Sequence, residues 1–482
     1  MSNQQSLSNK VFFSTIWSFI EAFSRQFITF LMGLVLARLL FPSDYGLIGM
    51  LQFFLAICQS FVDCGFSNAL ICKNDRNDKD FSTAFYFNLI IGAVAYIILF
   101  AIASLVANFY NEPILCNLLR VIGLTVFFNS LCIVPNAILQ SSMRMKLLMR
   151  VTLISQTVTG LLGIAMAYMN MGVWALAFQS LAGSIVTTIS LWYATKWRPL
   201  WIFSKKSFNY LWNFGSKMLF VGLISNAYSN IHTLIIGKAF NKTDLGLFSK
   251  ANSLSRLIPN TLYSVLNKVS LPAFSSISDE QTRLKSAFRV YMRVAAFIIF
   301  PIMGLLFALA EPLILFLLTD RWAAAIPIFQ LIIIGCIWNT LDLLSISILQ
   351  VVHQPGVLLR YETFNKVVGF AILLCSLPLG FYAVVAGKAV YNIYEYLSYT
   401  RTNKRFLGYT YREQAGDIIP TFLIMIIVCT IAFVSTIFFS HSLTKLIIGA
   451  FIGGFCYFSL AYMLKLQSFR DFLQIIKNFK KQ

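Results

Sequence analysis

A polar stripe runs through an otherwise apolar stretch of the sequence, residues 245–271. Its members recur about every four residues, so on a helix they share one face. The stripe consists of Asn252, Arg256, Asn260, Ser264 and Asn267, with Lys250 and Lys268 at its ends. Guanidinium and ammonium groups bind phosphate oxygens, and arginine can do so through two parallel hydrogen bonds. The stripe therefore predicts a site for an anionic, phosphate-bearing ligand.

Other ionisable side chains also lie inside apolar stretches, where facing lipid costs each of them several kcal/mol. Arg25 follows Glu21 by four residues, which predicts an ion pair on one helical face. Cations outnumber carboxylates within these stretches. The predicted diphosphate-binding residues are Arg25, Lys217, Lys250, Arg256 and Lys268. The residues predicted to line the same cavity or to couple to an ion are Glu21, Asp63, Asn252, Asn260 and Asn267. The alternative is that these charges pair with one another or reach the headgroups from span ends.

No pattern typical of catalysis accompanies these charges. The sequence has no nucleophile–base arrangement, glycine-rich phosphate loop or acidic pair in a soluble loop. Its nine cysteines are scattered without a C-x-x-C pair or a Cys/His cluster, which argues against disulfides and zinc. Four charged residues in the predicted spans 357–377 and 380–400 could pair with one another: Glu362, Lys366, Lys388 and Glu395. We expect a protein that is not an enzyme and uses no cofactor or metal.

The composition indicates the elements that must position these residues. Hydrophobic residues make up 58% of the 482 residues and charged residues 12%, against roughly 45–50% and about 25% in soluble domains. A transmembrane helix needs about 20 apolar residues. Fourteen segments qualify: 11–37, 45–71, 82–108, 114–138, 150–170, 172–195, 210–237, 245–271, 287–310, 323–351, 357–377, 380–400, 417–439 and 444–465. Segments 245–271 and 380–400 are the least apolar, and we interpret 245–271 as a helix that lines a polar interior.

The basic residues orient these spans. The net charge of +20 could suggest nucleic-acid binding, but the basic residues occupy short gaps between apolar segments, where they contact lipid headgroups. With a cytoplasmic N-terminus, 25 of the 38 lysines and arginines fall on the inner side and six on the outer side. The positive-inside rule thus predicts that both termini are cytoplasmic, and we expect no nucleic-acid binding.

An internal repeat divides the chain. Residues 33–47 match residues 233–247 at an offset of 200, and residues 128–140 match 338–350 with small insertions. Repeats of this kind are typical of transporters built from two related helical bundles. We predict an all-α polytopic protein with two pseudo-symmetric six-helix lobes, 1–200 and 201–405, and two extra spans with a basic tail in 406–482.

Several motifs resemble those of the Wzx-type, WzxC-like polysaccharide flippases of the multidrug/oligosaccharidyl-lipid/polysaccharide exporter superfamily. They are LARLLFPSDYGLIGML (36–51), DCGFSNALI (63–71), MNMGVWALAFQSL (169–181), KVSLPAFSSISDEQTRL (268–284) and AEPLILFLLTDRWAAAIP (310–327). The resemblance covers roughly the whole chain in the right order. One departure is Asp320, which precedes the basic–Trp pair where the family often has glycine.

The resemblance implies a cation-lined cavity that moves undecaprenyl-diphosphate-linked oligosaccharide units across the membrane by alternating access. It also implies contact with membrane lipids and with polysaccharide polymerase or assembly proteins. Three rivals are a drug/cation antiporter of the MATE type, a polysaccharide polymerase or ligase, and a non-catalytic scaffold of an assembly complex. The cation excess argues against the antiporter, and the lack of a large outer loop argues against the enzyme. The scaffold stays open, as does the choice among lipopolysaccharide (O-antigen), capsule and exopolysaccharide.

Overall fold

The computed structural model describes residues 2–73, 75–275, 277–278, 280–351 and 355–479, and these residues contain helices and no β-strand. The helices are α1 (Ser2–Leu39), α2 (Pro42–Asp63), α3 (Phe66–Cys72), α4 (Asp78–Tyr110), α5 (Ile114–Ser141), α6 (Met145–Tyr168), α7 (Val173–Thr195), α8 (Lys205–Ala239), α9 (Lys242–Ser275), α10 (Gln281–Ala308), α11 (Ala310–Leu318), α12 (Ala325–Val351), α13 (Pro355–Ser376), α14 (Phe381–Leu407), α15 (Tyr411–Ile437), α16 (Ser442–Met463) and α17 (Gln467–Phe479).

The long helices identify a multi-pass membrane protein, as the composition predicted. Within the described ranges, fourteen helices have at least 22 residues, and each predicted span falls on one of them, with 45–71 extending beyond α2 into the short α3. Twelve spans are long and apolar enough to cross a bilayer. The two that fall short are α9 and α14, which correspond to the two least apolar predicted segments. The arrangement of fourteen spans in two lobes stays a prediction.

The segment predicted as one span, 45–71, is interrupted. Cys64 and Gly65 both have a left-handed backbone, with φ of 32° and 68°, so α2 ends and α3 begins there. Gly65 also lies against α8, where an added Cβ would approach the Met218 Cβ to 2.6 Å and the Gly215 Cα to 3.2 Å. A glycine tolerates both constraints. The break depends on packing against a helix some 150 residues further along the chain, so local hydropathy does not reveal it.

The chain forms two compact units, residues 1–246 and 247–482. Helix α8 belongs to the first unit because it packs on α2, α3 and α4. The predicted lobe boundary at residue 200 precedes α8, whereas the boundary between compact units follows it. The lobe division itself stays a prediction about the repeat.

Within the first unit, the two copies of the repeat meet at their matched residues. An added Cβ on Gly46 would overlap the carbonyl oxygen of Lys242, and one on Gly246 would overlap the carbonyl oxygen of Pro42. Since Gly46 matches Gly246 and Pro42 matches Lys242 at an offset of 200, the contact is reciprocal. Reciprocal contacts are what a two-fold relation between related segments produces. We call this contact the glycine crossing.

The second unit holds a balanced ion-pair network, formed by Arg289 and Arg293 with Asp417 and Asp471. Arg289 Nε lies 2.8 Å from Asp417 Oδ2, while buried Arg293 lies 3.1 Å from Asp417 Oδ1 and 2.6 Å from Asp471 Oδ2. Tyr409 donates to Asp417 at 2.7 Å. Burial and this bond raise the pKa of the Tyr409 phenol, which stays protonated. The network fastens α10, α15 and the C-terminal helix α17 to one another, and α17 lies within the sequence predicted only as a basic tail.

Candidate functional site

The polar stripe of the second unit begins with a contact inside α9. Arg256 Nε donates to Asn252 Oδ1 at 3.3 Å, across one helical turn. The four-residue spacing read from the sequence places both side chains on one face, as predicted. Both are half-buried. Their contact fixes the position of the Arg256 guanidinium without neutralising its charge.

Lys388 of α14 joins the same oxygen. Its Nζ donates to Asn252 Oδ1 at 2.9 Å and lies 4.9 Å from the centre of the Phe248 ring. An aromatic face stabilises an ammonium group without removing its charge. The sequence suggests that Lys388 pairs with a carboxylate of the C-terminal spans, but Lys388 donates to the side-chain amide of Asn252 in α9 instead. The low apolar content of α9 and α14 was the signal that these two helices share polar contacts.

Two basic side chains thus converge on one neutral amide oxygen. Because both nitrogens lie within hydrogen-bond distance of that oxygen, they are about 6 Å apart at most. When both groups are protonated, two like charges at that separation repel by about 3 kcal/mol for an effective dielectric constant near 20. Over the described residues, neither Arg256 nor Lys388 has a carboxylate within ion-pair distance. We call Arg256, Lys388 and Asn252 the cation pair site.

Carboxylates on the neighbouring helices bond to other groups. Glu362 pairs with Lys366 at 2.9 Å, as the sequence analysis had suggested for these spans. Glu395 accepts a hydrogen bond from Tyr391 at 2.9 Å. Asp342 is buried and accepts from Asn339 at 3.3 Å. The same unit pairs Arg289 and Arg293 directly with carboxylates, so the lack of a direct carboxylate partner among the described residues is a local property of the cation pair site.

The remaining predicted residues of α9 divide into two groups. Lys250 is buried and has contacts of its own, and Asn260 is exposed one turn beyond Arg256. Lys268 and Asn267 were predicted as site residues, but their side chains lie outside the described part of the protein. The structure therefore brings together Asn252 and Arg256 from the predicted set and adds Lys388.

The predicted residues of the first unit do not form a comparable cluster. Arg25 and Glu21 form the predicted ion pair at 3.4 Å, with the Arg25 side chain 54% exposed. Lys217 is exposed and forms no ion pair with a described carboxylate. Asp63 accepts from Gln59 at 2.9 Å, and Gln59 accepts from Asn129 at 3.0 Å.

Asp63 and Asn129 line a cavity of about 320 Å³ whose other walls carry mainly amides and hydroxyls. We call it the amide pocket; its lining includes Asn136, Ser155, Gln156, Ser180 and Ser184. Amides and hydroxyls both donate and accept hydrogen bonds. The amide pocket thus offers uncharged hydrogen-bonding groups and a single carboxylate, where the cation pair site offers two basic side chains.

Comparison with known proteins identifies relatives of this chain. The chain is 23% identical over 279 residues to the teichuronic acid biosynthesis protein TuaB of Bacillus subtilis, covering 57% of this chain and 58% of TuaB. It is 23% identical over 321 residues to the succinoglycan biosynthesis transport protein ExoT of Rhizobium meliloti, covering 66% and 64%. It is 22% identical over 392 residues to the lipopolysaccharide biosynthesis protein WzxC of Escherichia coli, covering 79% and 78%. The matched region is thus less than two-thirds of TuaB and of ExoT.

Solved structures show the fold. The inward closed conformation of the lipid II flippase MurJ superposes with a TM-score of 0.74 at 13% identity, covering 93% of this chain and 99% of MurJ. An inward-facing multidrug resistance MATE family transporter of the MOP superfamily gives a TM-score of 0.63 at 14% identity, covering 80% and 96%. These likenesses show that the predicted all-helical, polytopic fold is shared with both transporters. Residues 35–327, more than half of the chain, match the model of the family described as polysaccharide biosynthesis protein. The chain therefore belongs to the polysaccharide biosynthesis protein family.

Proposed function

We propose that the protein is a flippase that moves a diphosphate-linked lipid oligosaccharide from the cytoplasmic to the outer leaflet of a bacterial inner membrane. The cation pair site carries the proposal, because two cations that share one amide oxygen gain an anionic partner when a diphosphate binds. The relatives named for polysaccharide biosynthesis and transport support this class of cargo.

In the proposed complex, Arg256 and Lys388 bind phosphate oxygens and Asn252 holds their nitrogens in place. Before the cargo binds, Asn252 offers both cations a shared acceptor. The binding of a diphosphate then replaces like-charge repulsion with attraction, and charge-assisted hydrogen bonds are about twice as strong as neutral ones. No bond in the cargo breaks, so the proposal assigns the protein no enzymatic step.

The other predicted residues are further candidates along the transport route. As phosphate-binding groups we propose Arg25, Lys217, Lys250 and Lys268. As polar lining or ion-coupling groups we propose Glu21, Asp63, Asn260 and Asn267. We propose transport by alternating access with both termini in the cytoplasm, which the repeat and the distribution of basic residues support. An undecaprenyl-type lipid is the proposed carrier, and polysaccharide polymerase or assembly proteins are the proposed partners.

The main rival shares the fold, since MATE transporters also superpose on this chain. A transporter for cationic drugs needs an anionic site, because a cation gains nothing from two positive neighbours. The cation pair site has the wrong sign for that cargo. A scaffold without transport activity would need no uncompensated charge inside a helical bundle.

The deciding experiment measures the leaflet in which lipid-linked oligosaccharide accumulates when the gene is deleted. Accumulation in the cytoplasmic leaflet supports flipping, whereas accumulation of unpolymerised units in the outer leaflet contradicts it. Complementation by Arg256→Ala should fail at normal protein levels. The matched control is Arg283→Ala, an exposed arginine that pairs only with exposed Glu280 in the described residues. If both variants restore export fully, Arg256 does not bind the cargo.

A further inference from the structure

A second cationic surface lies on the second unit, where α13, α14 and the start of α15 form a groove of about 580 Å³. Arg360 of α13 and Arg401 of α14 line it, together with Tyr361, Tyr394 and Tyr411. We call it the arginine groove. It is separate from the cation pair site in its residues, and nothing in the proposed transport step uses it.

The two arginines lie at the same depth. Helices α13 and α14 pack against each other and are joined at their far ends by the turn Leu377–Leu379, so they run in opposite directions. Arg360 is five residues from the start of α13 and Arg401 six residues from the end of α14. At 1.5 Å per residue these positions are about 7.5 and 9 Å from the paired helix ends. Arginine side chains at this depth reach the headgroup layer.

An apolar surface continues from the arginines toward the opposite ends of the helices. Phe364 follows Arg360 by four residues, and Leu397 precedes Arg401 by four, so each lies one turn further along the face of its arginine. Both line the groove, with exposed fractions of 61% and 58%. A phosphate held by the two arginines would therefore have an acyl chain directly over Phe364 and Leu397.

The carboxylates closest in sequence to the groove are engaged elsewhere. Glu362 pairs with Lys366, Glu395 accepts from Tyr391, and Glu413 pairs with Lys285 and Arg289. In the part of the chain that is described, Arg360 and Arg401 form no ion pair. A third cation, Lys404, lies 5.0 Å from the centre of the Tyr411 ring at the rim. The groove therefore has an uncompensated positive charge.

The serine and threonine hydroxyls of the groove are engaged within the protein. The Ser398 hydroxyl donates to Asn365 at 2.9 Å, and the Thr400 hydroxyl donates to the Leu397 carbonyl at 2.7 Å. With both of these hydroxyl protons used internally, the groove offers chiefly its arginines and the tyrosine rings with their hydroxyls. Tyrosine is also enriched where lipid headgroups meet acyl chains. The arginines and the apolar surface beside them fit a ligand whose phosphate is linked directly to an acyl chain region.

We propose that the arginine groove binds one anionic phospholipid, with its phosphate on Arg360 and Arg401 and an acyl chain over Phe364 and Leu397. The distribution of basic residues assigns this end of the helices to the cytoplasmic leaflet. The bound lipid contributes to the stability of the second unit. The proposal stands independently of what the protein transports.

The test uses the full-length protein in detergent, with phosphatidylglycerol as the probe and phosphatidylcholine as the zwitterionic comparison. The readouts are lipid retained by native mass spectrometry and the shift in Tm as lipid is added. Arg360→Gln combined with Arg401→Gln should weaken phosphatidylglycerol binding about tenfold or more, since each basic residue contributes to headgroup attraction. The control pair is Arg144→Gln with Arg283→Gln, two exposed arginines that are also predicted to be cytoplasmic.

The outcomes are distinct. Wild-type retention of phosphatidylglycerol by the groove variant overturns the proposal, and so does an equal loss in the control pair. If the groove variant loses undecaprenyl diphosphate but keeps phosphatidylglycerol, the groove serves the carrier lipid and the proposal is wrong. If the double variant fails to fold, Leu397→Trp decides with the same readouts. It keeps both charges and fills the acyl surface, so it should also reduce phosphatidylglycerol binding.

Discussion

Helices α2 and α9 contain matching segments of the repeat, yet their polar faces have different charges. At an offset of 200, Gln52, Ala56 and Ser60 correspond to Asn252, Arg256 and Asn260. Ser60 donates to the Ala56 carbonyl at 2.9 Å and accepts from Asn226 at 2.7 Å, which satisfies it within the first unit. The two copies keep a polar face, but only the second has a cation at its centre.

The difference separates what the repeat shares from what one copy adds. The glycine crossing is reciprocal and requires Gly46 and Gly246 alike, so it reflects the shared architecture. The cation pair site has no counterpart at the matched positions of α2. A charge that appears in only one copy, and that packing does not balance, is a feature of function more than of folding.

The largest expected effect comes from reversing that charge. Arg256→Glu places a carboxylate within reach of Lys388, and the new ion pair removes both cations from the ligand at once. Loss of two charge-assisted contacts, each worth about 1.5–3 kcal/mol, should lower export at least about 100-fold. The measurement is export of lipid-linked oligosaccharide by a deletion strain that expresses each variant at equal level.

Two companion variants sharpen this comparison of the copies. Arg256→Lys keeps the charge and should retain partial export. Ala56→Arg, introduced together with Arg256→Glu, should not restore it, because position 56 has no counterpart of Lys388. Rescue by Ala56→Arg would mean that the two copies are interchangeable.

Substitutions at the glycine crossing should have the next largest effect, a loss of stability that is the same for both copies of the repeat. Gly46→Val and Gly246→Val each force a side chain into a backbone carbonyl, which should cost about 1–3 kcal/mol or more. Both should lower the Tm by similar amounts in detergent. Gly222→Val is the control, since an added Cβ there meets no atom within 4 Å. Markedly unequal shifts for the two crossing variants would show that the reciprocal contact is not energetically symmetric.

Sequence patterns predicted the spans well because a bilayer fixes the length and apolar content of a helix. They also located Arg256 and Asn252, whose four-residue spacing is a local property. Lys388 was assigned to the wrong partners because its acceptor lies 136 positions away. Of the fourteen predicted spans, the two with the lowest apolar content are the two that form the cation pair site, so their low hydropathy was itself a signal of the site. The break at Gly65 depends on a tertiary contact and had no comparable signal, whereas the amphipathic sequence of α17 is one that packs a single apolar face against a surface.

Removing the second cation should separate function from stability. Lys388→Met keeps the length of the side chain and removes the repulsion with Arg256. It should lower export about tenfold and stabilise the unliganded protein by about 1 kcal/mol. Functional sites commonly sacrifice stability for activity in this way. The measurements are export and Tm in detergent.

Lys366→Met serves as the matched control, because Lys366 pairs with Glu362. Removing one partner of an ion pair leaves the other uncompensated, so this variant should gain no stability. If Lys388→Met is less stable than the wild type, the two cations do not oppose each other in the unliganded state.

The smallest effect should come from the first unit. Asp63→Asn preserves the shape of the side chain and an oxygen that accepts from Gln59. If the amide pocket supplies hydrogen bonds alone, export should stay within about twofold of the wild type, because a neutral acceptor bond contributes only about 1 kcal/mol. The measurement is export at pH 6 and at pH 8, with Asp63→Ala as the variant that also removes the acceptor. A carboxylate that takes up the coupling proton would behave differently: Asp63→Asn would then abolish export and its pH dependence together. That result would assign ion coupling to the first unit and anion binding to the second, and the neutral face of α2 would have a function of its own.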